Sequence, residues 1–154
     1  KKGTYCTQNM KALIQRVNKA SVEVNKETIG SINKGILVFL GITHKDTTKE
    51  ADELINKIIK LRIFEDSNSK MNLSVQDIKG ELLIISQFTL YADTMHGNRP
   101  SFIEAADAQK AEKLYNYFLD KLKATNIKTE SGIFGAHMNV KLINDGPVTI
   151  MLER

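Results

Sequence analysis

The sequence contains few of the residues and patterns that build cross-links, thiolate metal sites or membrane spans. It has a single cysteine, Cys6, among its 154 residues, which excludes an intramolecular disulfide and a zinc site made of several thiolates. No uncharged apolar run approaches the roughly 18 to 20 residues that cross a membrane, and no apolar signal-peptide core precedes Met10. We therefore expect a cytoplasmic protein, in keeping with a reducing compartment.

The common catalytic motifs are absent as well. The three histidines, His44, His96 and His137, lie far apart, and none belongs to a His-Glu-x-x-His metal motif. The sequence has no Gly-x-Ser-x-Gly nucleophile turn, no Walker-type phosphate loop and no Gly-x-Gly-x-x-Gly fingerprint. We expect neither a metal nor a cofactor.

Length and charge set broad limits. A chain of 154 residues is one domain by size and can bury a core without cross-links. Residues 1–9 lack apolar periodicity, and Met10 followed by Lys11-Ala12-Leu13-Ile14 is typical of a translation start. We expect residues 1–9 to be an added or leader segment and residues 10–154 to form the domain. The net charge of +4 permits an anionic partner such as RNA without requiring one.

Hydrophobic periodicity predicts strands in adjacent runs and two amphipathic helices. The predicted strands cover about residues 13–17, 21–24, 29–32, 35–42 and 81–88. The last third, 128–154, is strand-like again, with alternation at 137–143 and a closing run at 148–152. The runs at 35–42 and 81–88 are apolar on both faces, which favours central, buried strands. Helices are predicted from about 48 to 61, after a threonine cap, and from about 106 to 123. Turns are expected at 18–20 and 144–146.

This pattern predicts an α+β fold in a single domain. Its core is a mostly antiparallel, barrel-like sheet, and the two amphipathic helices pack against it. A doubly wound parallel fold would need more crossover helices than the roughly two that the periodicity supplies.

Polar side chains follow the predicted strand at 81–88. On a regular strand Ser86 and Thr89 point to opposite faces, whereas a bend at Gln87 and Phe88 would bring both hydroxyls to one pocket. Neither hydroxyl has an evident basic partner in the sequence to activate it. A catalytic pocket and a strand end whose hydroxyls only satisfy backbone groups both remain open.

The step Gly146-Pro147 also has two interpretations. Glycine has no side chain and proline has no amide donor, so the step exposes carbonyl groups and allows close approach of another group. The run Asn144-Asp145-Gly146-Pro147 is equally typical of a hairpin turn. Only about one X-Pro bond in twenty is cis, so the sequence leaves the isomer open.

Taken together, these segments resemble those of the D-aminoacyl-tRNA deacylases, also called D-tyrosyl-tRNA deacylases. Ser86-Gln87-Phe88-Thr89-Leu90 and Asn144-Asp145-Gly146-Pro147-Val148-Thr149 are similar to the two signature motifs of that family. The segments at 12–17, 97–102 and 132–138 are also similar, in the same order. The resemblance covers nearly the whole chain from Met10.

The resemblance implies a homodimeric hydrolase for chiral proofreading in translation quality control. Such an enzyme binds tRNA and cleaves the ester between a D-amino acid, or mischarged glycine, and the terminal adenosine. Gly146-Pro147 would be cis and would reach into the partner's site, where its carbonyl groups contact the substrate's amino group and exclude an L side chain.

The resemblance also assigns residues to the site. Ser86, Gln87, Phe88 and Thr89 would line the pocket around the scissile ester, with either Thr89 as nucleophile or the 2′-hydroxyl of the tRNA organising a water. Gly146, Pro147, Phe134, Gly135 and Met138 would bind substrate, the last three at the terminal adenine, although core packing is an equally good account of Met138. The alternatives are a non-catalytic tRNA-binding dimer and a small-ester hydrolase that uses Thr89.

Overall fold

A computed structural model of the chain describes residues 9–154. Cys6 and residues 1–8 of the expected leader segment lie outside this range. The elements are β1 (Lys11–Val24), β2 (Glu27–Ile32), β3 (Gly35–Gly41), α1 (Thr48–Lys60), β4 (Phe64–Glu65), β5 (Met71–Leu73), β6 (Glu81–Ser86), a 3₁₀ turn (Phe88–Tyr91), α2 (Ala108–Lys123), β7 (Lys128–Ser131) and β8 (Asn139–Glu153).

The long strand β1 organises the main sheet. Residues 11–17 pair with β3 on one side and with the end of β8 on the other. Residues 20–24 pair with β2 and with the start of β8. These pairings are antiparallel, whereas β6 adds to β3, and β7 to β6, in parallel. The order is therefore β2-β1-β3-β6-β7, with β8 on β1.

The two ends of this sheet approach each other. The Ser31 amide of β2 donates to the Glu130 carboxylate of β7 at 3.4 Å, and a Cβ built on Gly30 would lie 2.8 Å from the Ser131 carbonyl oxygen. The mixed sheet is thus nearly closed, because glycine allows β2 to lie against β7. This confirms the predicted single-domain α+β fold with a barrel-like core and two helices.

The turns predicted at 18–20 and 144–146 are wrong. Both segments lie inside continuous strands, β1 and β8, at irregularities in the β1–β8 register near Gln15, Val17 and Lys19. The segments before and after each supposed turn pair with the same partner strand, so the extra residues form bulges rather than chain reversals. Outside the predicted elements, β4 and β5 form a small two-stranded sheet.

The predicted central strands β3 and β6 are buried on both faces. Ile36 and Val38 pack in the cluster under the helices, whereas Leu37, Leu83 and Ile85 pack in a second cluster inside the curved sheet. Each such side chain contributes about 1.5 to 3 kcal/mol on burial. The rigid β3–β6 pair therefore fixes the point where β6 ends.

Both helices begin at side-chain caps. Thr47 accepts from the Lys49 amide at 3.2 Å, and the Glu50 carboxylate accepts from the Thr47 amide at 2.7 Å, which completes a capping box. Helix α2 begins at Ala108, two residues later than predicted, because Asp107 acts as the cap and accepts from the Lys110 amide at 2.9 Å. Within residues 9–154, neither helix is long and apolar enough to cross a membrane.

Candidate active site

The chain bends where β6 ends. Ser86 is the last residue of the strand, Gln87 has φ −144° and ψ 82°, and the 3₁₀ turn follows from Phe88. The Gln87 amide still donates to the Leu40 carbonyl at 2.8 Å. The bend is therefore fixed to β3, and its side chains have defined directions.

A cavity of about 580 Å³ opens at this bend, a volume in the usual range for a small-molecule site. Ser86, Gln87 and Phe88 line it on one side. Phe134, Gly135 and Met138 line it from the segment between β7 and β8. The fold thus brings six of the predicted site residues together around one cavity.

Thr89 lies beside this cavity rather than in its lining. It is exposed, and its hydroxyl accepts from the side-chain amide of Gln87. A carboxamide cannot accept a proton from a hydroxyl in the way a histidine or carboxylate does. The geometry therefore gives Thr89 no activating base among the groups it contacts.

An exposed aromatic side chain stands at the mouth of the cavity. Phe88 is 57% exposed, and its ring meets the ring of Phe102 edge to face, with 5.1 Å between centroids and 75° between planes. Aromatic pairs favour this arrangement. Phe102 therefore supports a ring that stays more than half exposed.

The position of Phe134, on the other side of the cavity, depends on Tyr115. Its hydroxyl donates to the Ile84 carbonyl at 2.7 Å, and burial raises the pKa of Tyr115 to about 12, so the donor keeps its proton. The ring of Phe134 packs against the Tyr115 ring at 6.0 Å. The hydrogen bond to β6 fixes the Tyr115 ring, and contact with this buried ring holds Phe134 at the cavity.

Met138 both lines the cavity and packs into the core. Its side chain lies against the cluster inside the sheet, and a Cβ built on Gly132 would lie 2.5 Å from its sulfur. A side chain at position 132 would force the thioether to move. Met138 therefore lines the cavity and packs into the core at the same time.

Gly146 and Pro147 lie elsewhere on the chain. They are exposed, in the bulge of β8, and the bond between them is cis, as the resemblance implies. Along the sheet, Ser86 is level with Leu40, Ala12 and Leu152 on successive strands. Strand spacings then put Pro147 roughly 20 Å from Ser86 of the same chain.

Arg16 holds this bulge. Its side chain is 7% exposed, and its Nε lies 3.1 Å from both the carbonyl oxygen and the carboxylate Oδ2 of Asp145. Its Nη1 donates to the Ile63 carbonyl at 2.7 Å. The Asn144 side-chain amide adds bonds to the carbonyl groups of Arg16 and Val148 at 2.9 and 3.2 Å. The exposed Gly146-Pro147 step is therefore supported from beneath by a buried guanidinium.

The sequence interpretation missed other lining residues. Phe102 lies in one of the segments that resemble the family, but no role follows from its type alone. His137 also lines the cavity. The remaining lining consists of Ile42, Ile85, Ala105, Ala106, Ala108, Ala111, Ala136 and Val140. Small residues leave space rather than supply chemistry, so local sequence gives little signal for them.

Within residues 9–154, no group of three or more histidine, cysteine, aspartate and glutamate side chains is arranged to hold a metal ion. The expectation that the site needs no metal or cofactor stays a prediction.

Comparison with known proteins gives consistent matches. The family model described as D-Tyr-tRNA(Tyr) deacylase matches residues 13–153. The D-aminoacyl-tRNA deacylase of Thermosipho melanesiensis is 56% identical over 145 residues, which are 94% of this chain and 97% of the relative. That of Thermodesulfovibrio yellowstonii is 55% identical over 144 residues, 94% of this chain and 99% of the relative.

Two solved structures, one near and one distant in sequence, resemble the chain. One, described as a c-Myc DNA Unwinding Element Binding Protein, has 46% identity and a TM-score of 0.88, and the match covers 94% of this chain and 98% of that one. The other, described as a probable eukaryotic D-amino acid tRNA deacylase, has 16% identity and a TM-score of 0.79, with 96% and 100% covered. The second shows the same fold at low sequence identity.

Proposed function

Because the chain belongs to the D-Tyr-tRNA(Tyr) deacylase family of ester hydrolases, we propose that it removes D-amino acids from tRNA. It cleaves the ester between the D-amino acid, or mischarged glycine, and the terminal adenosine, and so provides chiral proofreading for translation in the cytoplasm. The observation that carries this proposal is the single cavity lined by both Ser86, Gln87 and Phe88 and by Phe134, Gly135 and Met138.

The two sides of the cavity suit the two parts of an aminoacyl-adenosine. Phe134 offers an aromatic ring for stacking, and Met138 offers a polarisable thioether. Both groups suit contact with a nucleobase. The bend at Ser86 and Gln87 places polar groups where the ester would lie. A nucleoside bound between them would put its 3′-ester beside the 3₁₀ turn.

The backbone of the turn can stabilise the reaction. The first hydrogen bond within the turn runs from the Leu90 amide to the Gln87 carbonyl. The amides of Phe88 and Thr89 come before this bond, so they do not donate within the turn. Two such donors directed at a tetrahedral oxyanion are commonly worth about 3 kcal/mol each. In this mechanism the 2′-hydroxyl of the tRNA organises the attacking water, because the Thr89 hydroxyl contacts no general base.

The chirality gate comes from a second copy of the chain. Gly146-Pro147 is exposed and roughly 20 Å from its own cavity by strand spacing, which supports a role at the cavity of another protomer. Ile143 and Met151, 55% and 42% exposed, flank it on β8, whose outer edge has no strand partner among the described residues. Exposed apolar side chains on an open edge favour a protein contact. The proposal is therefore a homodimer with two cross-subunit gates.

Matched D- and L-aminoacyl-tRNA substrates test the function. We expect release of the D-amino acid while the L ester remains intact, because the gate leaves no room for an L side chain. Equal release of both contradicts chiral proofreading, and tRNA binding without release supports a non-catalytic dimer.

A D-aminoacyl-tRNA ending in 2′-deoxyadenosine tests the mechanism separately. We expect cleavage to be strongly reduced, since the group that organises the water is missing. Full activity on this substrate would eliminate the RNA-assisted step and point to a hydrolase that acts through its own hydroxyl groups.

A further inference from the structure

A buried carboxylate lies outside the site described so far. Asp46, between β3 and α1, is 1% exposed. Its Oδ2 accepts from the Thr43 amide at 2.7 Å, and its amide donates to the Thr43 carbonyl at 3.1 Å. Its Oδ1 is buried without a hydrogen-bond partner among the described residues. Such unpaired buried atoms are rare and call for a physical reason.

The tight turn that Asp46 closes is joined to one side of the cavity. We call residues 42–46 the corner and residues 102–106 the wall. Three contacts join them. The Ala106 amide donates to the Ile42 carbonyl at 2.9 Å within the backbone bridge between Thr43 and Ala105. The Thr43 hydroxyl donates to the Glu104 carbonyl at 2.5 Å, and His44 Nε2 lies 2.6 Å from the Ile103 carbonyl oxygen.

The wall in turn shapes the cavity. Phe102, Ala105 and Ala106 line it, and the Phe102 ring supports the ring of Phe88. No helix or strand contains residues 102–106, so the corner supplies much of the backbone bonding that holds them. The corner, the wall, Phe102 and Phe88 therefore form one continuous series of contacts.

We propose that Asp46 is a positioning residue for the deacylation reaction, which holds the wall in place through Thr43. This role rests on the proposed function, since the ligand of the cavity is the aminoacyl-adenosine end of tRNA. Asp46 itself lines no part of the cavity and touches no reacting atom.

The charge state of Asp46 sets how firmly the turn is held. Burial raises the pKa of Asp46 to about 6, opposed by the hydrogen bond from Thr43. The charged and titratable groups that face it are Lys45 of the corner, Glu50 of α1, Lys110 of α2 and Tyr91 of the 3₁₀ turn. Because the raised pKa means that the closed turn holds the neutral acid better than the carboxylate, ionisation above this pKa favours opening of the turn. Below it the carboxyl is neutral, the turn is held more firmly and the cavity binds substrate better.

The variant Asp46→Asn tests this role, because asparagine resembles the protonated acid in shape. Steady-state deacylation of D-aminoacyl-tRNA would be measured between about pH 5.5 and pH 7.5. In the wild type we expect KM to be about fivefold higher at the alkaline end, with kcat for the variant within about twofold of wild type at each pH. Asp46→Asn should show the low KM throughout.

Two further variants serve as controls. Asp77 closes a comparable turn away from the cavity, accepting from the Ser74 amide at 2.8 Å, so Asp77→Asn should keep the wild-type KM and pH profile. Histidine changes charge in the same pH range, so His44→Gln should retain the pH dependence of KM. If Asp46→Asn shows the wild-type KM and pH dependence, or Asp77→Asn shows the same change as Asp46→Asn, the role is refuted.

Amide hydrogen exchange gives a readout that does not depend on activity. At pH 7.5 exchange at Ala106, whose amide bonds to the corner, should be about fivefold slower in Asp46→Asn and unchanged in Asp77→Asn. Thr43→Val should instead show faster exchange at Ala106 and a raised KM, whereas Thr43→Ser, which keeps the hydroxyl, should keep the wild-type values of both. A wild type that releases no D-amino acid refutes the proposed function alone; unchanged Ala106 exchange in Asp46→Asn and Thr43→Val refutes the positioning role.

Discussion

At the scale of single residues, the threonine that follows the end of β6 contacts an amide rather than a base. The Thr89 hydroxyl contacts the Gln87 carboxamide, and the cavity's histidine, His137, lies on the segment that contributes Phe134 and Met138. A nucleophilic threonine needs a partner to take its proton. The arrangement instead favours catalysis by backbone amides and by the substrate's own hydroxyl.

Thr89→Ala tests this division of roles. We expect the variant to keep deacylation of D-aminoacyl-tRNA within about tenfold of wild type, because the amide at position 89 remains while only the hydroxyl is lost. Single-turnover rates at saturating enzyme would measure it. Complete loss of cleavage in a variant with an unchanged melting temperature would restore Thr89 as the nucleophile.

The residues that the resemblance assigns to a site were easier to predict than the residues that only shape the cavity. Ser86, Gln87, Phe88, Phe134, Gly135 and Met138 were expected at a site and line one cavity. Phe102 was not assigned because its partner Phe88 approaches only after the chain bends at Gln87. Asp46 was missed because an aspartate in a polar turn gives no sign that the turn will be buried.

At the scale of elements, the bulge in β8 is the least predictable part of the fold. The residues 144–147 carry turn chemistry, yet both flanks pair with β1. Local sequence encodes the departure from strand geometry, whereas the partner strand, more than 100 residues away, decides whether the chain reverses. The strands β3 and β6 were predictable because a short run that is apolar on both faces is typical of a strand buried on both faces.

Arg16→Lys tests the support of this bulge. An ammonium group cannot span both Asp145 and the Ile63 carbonyl in the way the guanidinium does. We expect the free energy of unfolding in urea to fall by on the order of 2 to 3 kcal/mol. We also expect the ratio of D to L deacylation rates to fall, because Gly146-Pro147 loses its fixed position.

An exposed ion pair supplies the comparison for Arg16→Lys. Lys128 lies 3.8 Å from Glu81 with its side chain 54% exposed, so Lys128→Ala should change stability by less than about 1 kcal/mol and leave the D to L ratio unchanged. If Arg16→Lys keeps the wild-type ratio, the position of Gly146-Pro147 does not depend on this anchor.

At the scale of the whole molecule, the cavity and Gly146-Pro147 lie at different places on one nearly closed sheet. The two helices and the buried strands β3 and β6 were predictable from periodicity, whereas β1 and β8 were each predicted as two strands and β4 and β5 were not predicted. The closure of the sheet was not predictable, since it depends on β2 meeting β7 through Gly30 and on β1 pairing with both β3 and β8. Separation of the cavity from Gly146-Pro147 is what makes a second copy necessary in the proposed mechanism.

Mixed dimers test this central claim most directly. One chain would carry Phe134→Ala with Met138→Ala, which impairs the cavity, and the other Gly146→Ala with Pro147→Ala, which impairs the gate. Two affinity tags would isolate the heterodimer, and its rates on D- and L-aminoacyl-tRNA would be measured. A second heterodimer, with all four substitutions on one chain and a wild-type partner, is the matched control.

If the gate acts across the subunit boundary, the first heterodimer has one intact cavity served by an intact gate. We predict that it keeps about half of the wild-type rate and the full preference for D-aminoacyl-tRNA. In the control the intact cavity meets an impaired gate, so the preference for D-aminoacyl-tRNA is lost. The reverse pattern, with activity and selectivity in the control and not in the first heterodimer, would contradict the cross-subunit gate.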